Sequence, residues 1–123
     1  MSKGINHITL VVSDMERTTE FLVKIFDARE VYTSSSAKYF MVYDIWIALN
    51  QGDSLSERTY NHIAFSIDDK SYDDYYKRIV DAGLDILSGR TRNSNEGRSI
   101  YFYDYDNHLF ELHTGTLCQR IIL

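Results

Sequence analysis

The sequence predicts an α+β fold made of two βαβββ repeats, and three observations lead to it. The tripeptide Asn6-His7-Ile8 returns as Asn61-His62-Ile63, each time opening an alternating apolar stretch. Each stretch runs straight into a segment of helical periodicity. Each half also closes on a similar run, Trp46–Gly52 in the first and Leu109–Gly115 in the second. Two copies cannot form a solenoid, which needs three or more units to share a core. The expectation is one domain over 1–123, with repeats over about 4–52 and about 58–117.

In the first repeat, residues 5–13 alternate as a strand does, with Ile8, Leu10 and Val12 on one face and His7, Thr9 and Val11 on the other. Asp14 is a good N-cap. Met15, Thr18, Leu22, Ile25 and Phe26 recur at helical spacing, which predicts a helix over 15–26. Strands are expected near 29–33, 38–43 and 45–50, with Ser34-Ser35-Ser36 as a turn. In the second repeat a strand over 60–67 places Ile63, Phe65 and Ile67 opposite Tyr60, His62 and Ala64. Asp69 or Ser71 then caps a helix that carries Tyr72, Tyr75, Tyr76 and Ile79 and ends at Gly83. Strands near 84–88, 98–103 and 108–113 follow, the last two joined through Asp104-Tyr105-Asp106-Asn107.

Composition narrows the function. The formal net charge is −5, which disfavours nonspecific binding to nucleic acid or anionic lipid. No apolar stretch approaches the roughly 20 residues of a membrane span. The first residues lack a secretory pattern, and the single cysteine, Cys118, suits a reducing compartment, so a cytoplasmic protein is expected. Cys118 has no histidine in obvious relation to it and reads as a surface or packing residue. Asp68-Asp69 and Asp73-Asp74 read as helix-start charges, and Arg58 and Arg78 as solvated surface charges.

The chemistry lies on the polar strand faces. If the two Asn-His-Ile strands are related by pseudo-symmetry, His7 and His62 converge, and Glu111 stands where the first repeat has Ala48. Two imidazoles and one carboxylate make an open three-ligand site for a divalent metal that also binds water or substrate. A single histidine at a strand start is more often a hydrogen-bonded structural residue; it is the repeated motif together with Glu111 that favours a metal. His113 shares the face of Glu111 one pleat further along and reads as a supporting residue rather than a ligand.

These residues resemble the vicinal-oxygen-chelate (glyoxalase/bleomycin-resistance) superfamily. The runs Gly52–Phe65 and Glu96–Leu117 are similar to those of fosfomycin-resistance proteins, the epoxide-hydrolysing X-type most closely. The resemblance spans nearly the whole chain. It implies curved mixed sheets and a domain-swapped homodimer. It also implies Mn²⁺, or another divalent transition metal, held by His7, His62 and Glu111, with the first histidine from one chain and the other two ligands from its partner. The implied substrate is fosfomycin or a similar small phosphonate epoxide. By the same likeness Thr9, Ser99, Tyr101 and Arg120 hold the phosphonate, Arg92 adds a cation from the loop before Glu96, and Tyr60 and Trp46 line the cavity. Thr9 and Tyr101 are the implied catalytic contacts.

The sequence departs from that family at one position. X-type hydrolases carry a general-base glutamate directly before the Lys-aromatic-Phe of the third strand. Here Ala37 precedes Lys38-Tyr39-Phe40, and residues 33–38 contain no carboxylate; Glu57 and Asp44 are the carboxylates considered as substitutes. Loss of a general base commonly costs about 10²–10⁴ in rate. The alternative that follows is a thiol transferase acting on the same epoxide, whose thiolate needs no carboxylate base; a non-catalytic antibiotic-binding protein is an alternative of another class, and the ligand set also serves iron(II) dioxygenases. Retention of the three ligands disfavours the binding protein. The dioxygenases of the superfamily are longer and need further histidines.

Overall fold

In a computed structural model, residues 1–88 and 97–121 are described. The chain forms two compact units, Met1–Leu55 and Ser56–Leu123. The first holds β1 (His7–Val12), α1 (Met15–Phe26), β2 (Arg29–Thr33), β3 (Ala37–Val42) and β4 (Ile45–Gln51). The second holds β5 (His62–Ser66), α2 (Tyr72–Asp81), β6 (Asp85–Leu87), β7 (Ser99–Tyr103), β8 (Leu109–His113) and a short α3 (Leu117–Ile121) that the sequence reading did not anticipate.

Each unit contains a four-stranded mixed sheet, ordered β1-β4-β3-β2 in the first and β5-β8-β7-β6 in the second. The first and last strands of each repeat pair in parallel at one edge of the sheet, and the other pairs are antiparallel. The expected βαβββ order holds twice over. Among the described residues no helix is long and apolar enough to cross a membrane.

In the first unit the Asp14 carboxylate accepts the Arg17 N–H at 3.1 Å, so α1 starts where the capping residue says it should. It ends at Asp27, which adopts the left-handed region at φ 54 and donates its N–H to the Val23 carbonyl at 3.1 Å. Phe21, Leu22, Ile25 and Phe26 on α1 are buried, as are Leu10, Val12, Phe40, Val42, Ile47 and Leu49 on the alternate strand positions. Burial thus removes one sheet face from water and leaves the other, bearing His7 and Thr9, for chemistry.

The second unit repeats this with Ile79, Ile100, Phe102, Phe110 and Leu112 buried. Ser71, one of the two positions expected, stands at the N-cap of α2. A single 3-10 turn, Asp69–Ser71, precedes the helix, and neither Asp69 nor Ser71 caps it through its side chain. Asp69 instead takes the Arg98 guanidinium, which also lies over the Tyr72 ring. Tyr60 falls before β5 and not within it.

The β7–β8 turn is held by a buried carboxylate. Asp104 accepts the N–H of Asp106 at 2.9 Å and of His108 at 2.8 Å, and its second oxygen meets His108 Nδ1 at 2.8 Å. Tight closure of this turn sets the β7–β8 register, in which Ser99 faces His113 and Tyr101 faces Glu111.

Candidate metal centre

The register brings His62, Glu111, Ser99, His113 and Tyr101 onto one face of the second sheet. Glu111 is only 6% exposed. A carboxylate that deep must be compensated. Its Oε2 accepts the Ser99 hydroxyl at 2.5 Å, and its Oε1 lies 3.1 Å from His62 Nε2.

The orientation of His62 is fixed from behind. Its Nδ1 lies 2.7 Å from the Tyr60 carbonyl, and a carbonyl can only accept, so Nδ1 carries the hydrogen. In that tautomer Nε2 presents a lone pair to a carboxylate oxygen. Two acceptors at 3.1 Å repel unless a proton or a cation lies between them. Imidazole nitrogen and carboxylate oxygen are the donor set of a divalent transition metal, and a histidine whose other nitrogen is hydrogen-bonded is the usual form of such a ligand.

In the first unit His7 is held in the same way. Its Nδ1 meets Asn6 Oδ1 at 2.7 Å, which leaves Nε2 as the lone-pair end. The ring stacks on Trp46 with centroids 4.2 Å apart, and Tyr39 meets Trp46 edge-on. Both histidines of the repeated motif thus have Nδ1 engaged and Nε2 left as the acceptor end. Among the described residues no group of three or more His, Cys, Asp or Glu side chains forms a complete metal site.

The remaining residues singled out from the sequence are distributed between the two units. Thr9 is exposed on the His7 face, opposite Ala48. The Tyr60 hydroxyl lies 3.4 Å from the Tyr101 hydroxyl, and Tyr101 packs edge-on against His62. Tyr101 is 5% exposed, with Tyr103 and Leu109 in the same buried cluster. Ser99 is bonded to Glu111 and to His113 Nδ1, the latter at 2.8 Å. Arg120 is exposed on α3, as is Cys118. Arg92 lies outside the described residues.

Ala37 is the first residue of β3, opposite Asn50. It faces the same side as Tyr39 and Ala48, which is the His7 side. The nearby Glu30 pairs with Phe40 across the sheet and binds Lys38 and Thr33 on the opposite side. The His7 face of this sheet thus carries no carboxylate on its strand positions.

Two arginines read as solvated charges are tied down. Arg58 donates to Asp85 at 2.8 Å and to Asn107 at 3.0 Å and lies over the Tyr103 ring, anchoring the segment that leads to Tyr60 and His62. Arg78 pairs with Asp74 one turn earlier on α2. Sequence gave no signal for Arg58, because its three partners come from separate parts of the repeat.

Residues 4–112 match the model of the glyoxalase/bleomycin resistance protein/dioxygenase superfamily. The chain is 53% identical to the fosfomycin resistance protein FosX of Mesorhizobium japonicum, over 98% of this chain and 92% of that one. It is 41% identical to the metallothiol transferase FosB of Shouchella clausii, over 98% of this chain and 86% of that one. A crystal structure of a glutamate-to-glutamine variant of FosX from Listeria monocytogenes, complexed with Mn(II) and 1S,2S-dihydroxypropylphosphonic acid, superposes with a TM-score of 0.94 at 54% identity, covering 98% of this chain and 97% of that one. The chain belongs to the glyoxalase/bleomycin resistance protein/dioxygenase superfamily and, within it, to the family of fosfomycin resistance proteins.

Proposed function

We propose that this protein inactivates fosfomycin by adding water across its epoxide, with Mn²⁺ as the resident metal. The observation that carries the reading is the pairing of the solvent-reaching His62 with the buried Glu111, whose outer atoms Nδ1 and Oε2 are hydrogen-bonded while the facing Nε2 and Oε1 are both acceptors. The ligand captured in the Listeria relative supports it, since a dihydroxypropylphosphonic acid is what water addition to an epoxypropylphosphonate yields.

In this reading His62 and Glu111 hold the metal together with His7 of the partner subunit in a domain-swapped homodimer. A bound Mn²⁺ would supply a Lewis acid to offset the negative charge that develops on the epoxide oxygen as the strained ring opens. The chain's own groups bind and orient the substrate. Thr9, Ser99, Tyr101, Arg92 and Arg120 are the proposed phosphonate donors, and Trp46 and Tyr60 the proposed cavity walls. Aromatic walls exclude bulk water, which strengthens each of these polar contacts.

A second reading has one specific observation behind it. The His7 face lacks a carboxylate, and position 37 is a methyl group. Without a base for water, a thiolate is the better nucleophile, and the 41% identity to a metallothiol transferase fits that chemistry. Phosphorus NMR separates the two. Mn²⁺-loaded protein is incubated with fosfomycin alone, with glutathione and with bacillithiol. Diol formed without thiol is expected, and Ala37→Glu should raise its rate by roughly 10²–10⁴. Adduct formed only with thiol would establish transfer instead. No reaction in either protein would remove fosfomycin as the substrate.

A further inference from the structure

The two copies of the Asn-His-Ile motif hold their histidines in different ways. His7 Nδ1 meets Asn6 Oδ1 at 2.7 Å, a side chain of its own tripeptide. His62 Nδ1 meets the Tyr60 carbonyl at 2.7 Å, a backbone group that lies before β5. The aim of the His62 ring therefore depends on where that stretch of main chain is placed.

Among the described residues, no backbone–backbone hydrogen bond outside the strand ladders involves residues 56–60. The stretch is also exposed, so side chains have to place it. The Tyr103 hydroxyl reaches the Thr59 carbonyl at 3.4 Å, and the Tyr60 hydroxyl lies 3.4 Å from that of Tyr101. Both distances are long for a hydroxyl bond. The short contacts belong to Arg58. Its Nη2 donates to Asp85 Oδ2 at 2.8 Å, at the start of β6, and its Nε donates to Asn107 Oδ1 at 3.0 Å, in the β7–β8 turn. Its guanidinium carbon lies 4.2 Å from the centre of the Tyr103 ring on β7.

A lone ion pair would place nothing here, because the Arg58 and Asp85 side chains are 43% and 65% exposed and such pairs contribute little. Arg58 is held differently. Two nitrogens of one rigid plane are bonded to two elements, while the face of that plane rests on a third. A flat group fixed along its edge and over its face has little rotation left, so it ties the main chain that carries it to the sheet. At most about 7 Å of chain separates the Cα of Arg58 from that of Tyr60.

We infer that Arg58 is a positioning residue: by clasping β6, β7 and the β7–β8 turn it fixes the Tyr60 carbonyl that holds His62 Nδ1, and so keeps His62 Nε2 aimed at Glu111. The consequence for a metal rests on the reading proposed above, though the geometry does not. Charge and position act in opposite directions at this residue. Removing a cation favours a nearby divalent metal by Coulomb's law. Losing the clasp loosens a ligand and disfavours that metal.

The test is Mn²⁺ titration without substrate, with free Mn²⁺ followed by electron paramagnetic resonance. Arg58→Gln should weaken binding by roughly threefold to tenfold, below the roughly 10–100-fold that follows loss of a group bonded directly to a ligand. Arg58→Lys keeps the charge but neither the fork nor the flat face, and should fall in the same range. Unchanged or tighter binding in Arg58→Gln, or wild-type affinity in Arg58→Lys, would overturn the inference. ¹H–¹⁵N NMR of the metal-free proteins gives a second reading. A His62 Nδ1 proton protected from exchange with water is expected in the wild type, and Arg58→Gln should lose that protection. Equal protection in both proteins, or none in the wild type, would equally overturn it. Should Arg58→Gln fail to fold, Asp85→Asn weakens the shortest bond of the clasp from an exposed position, and an unchanged His62 Nδ1 proton there decides against the role. If the wild type takes up no Mn²⁺, the metal reading fails and the NMR result alone decides the role of Arg58. If binding behaves as expected while fosfomycin is untouched, the substrate assignment fails and the positioning role stands.

Discussion

Glu111→Gln separates what the buried carboxylate does for the metal from what it does for the fold. In the metal-free protein the amide oxygen can still accept the Ser99 hydroxyl, now as a neutral bond. That change costs about 1 kcal/mol relative to the charge-assisted one. The amide NH₂ then points at His62 Nε2, where the wild type has an oxygen 3.1 Å away. An acceptor–acceptor contact becomes a hydrogen bond, adding about 1 kcal/mol. The two terms cancel, and the variant no longer buries a charge at a site 6% exposed, a desolvation cost of several kcal/mol. The expectation is that Glu111→Gln in EDTA at pH 8 is at least as stable as wild type by urea denaturation. With Mn²⁺ at a hundred times its dissociation constant the wild type should gain about 2.7 kcal/mol, and the variant almost nothing. A loss of more than about 2 kcal/mol in EDTA would show that the carboxylate is needed for folding. Full Mn²⁺ stabilisation of the variant would show that Glu111 is not a ligand. Either result refutes the reasoning.

Two further outcomes can be checked alongside it. In a domain-swapped homodimer, mixing inactive His7→Ala and inactive His62→Ala subunits should restore activity, because one of the two sites in each heterodimer then has all three ligands intact; a mixture that stays inactive after confirmed subunit exchange places the ligands in one chain. Gly97→Ala should cost more than about 2 kcal/mol, since φ is +82 and an added Cβ would lie 2.6 Å from the Gly115 backbone nitrogen. A urea midpoint that gives a difference within about 0.5 kcal/mol would remove that role.

The repeated Asn-His-Ile motif, the period of two in the strands and the Asp14 cap made the order of elements legible, because each is a local pattern written within a few consecutive residues. The limits of α1 came directly from its cap and its apolar spacing. Helix α2 and its N-cap position at Ser71 are equally legible, but no side-chain bond closes that cap. Asp69 has the side chain of a capping residue, and that side chain goes to Arg98, a partner with no local signature. Arg58 was read as surface charge for the same reason.

The types of the three candidate ligands could be read from sequence alone, since imidazole and carboxylate at matching strand positions already define a donor set. How those donors are held could not. The hydrogen on His62 Nδ1 is set by the Tyr60 carbonyl. The Ser99 hydroxyl meets two residues of the neighbouring strand, Glu111 and His113. Strand alternation determines which side chains share a face, but the closure of the Asp104 turn determines which of them meet. Hydrogen-bond direction is a property of the assembled group, and only the tertiary structure assembles it.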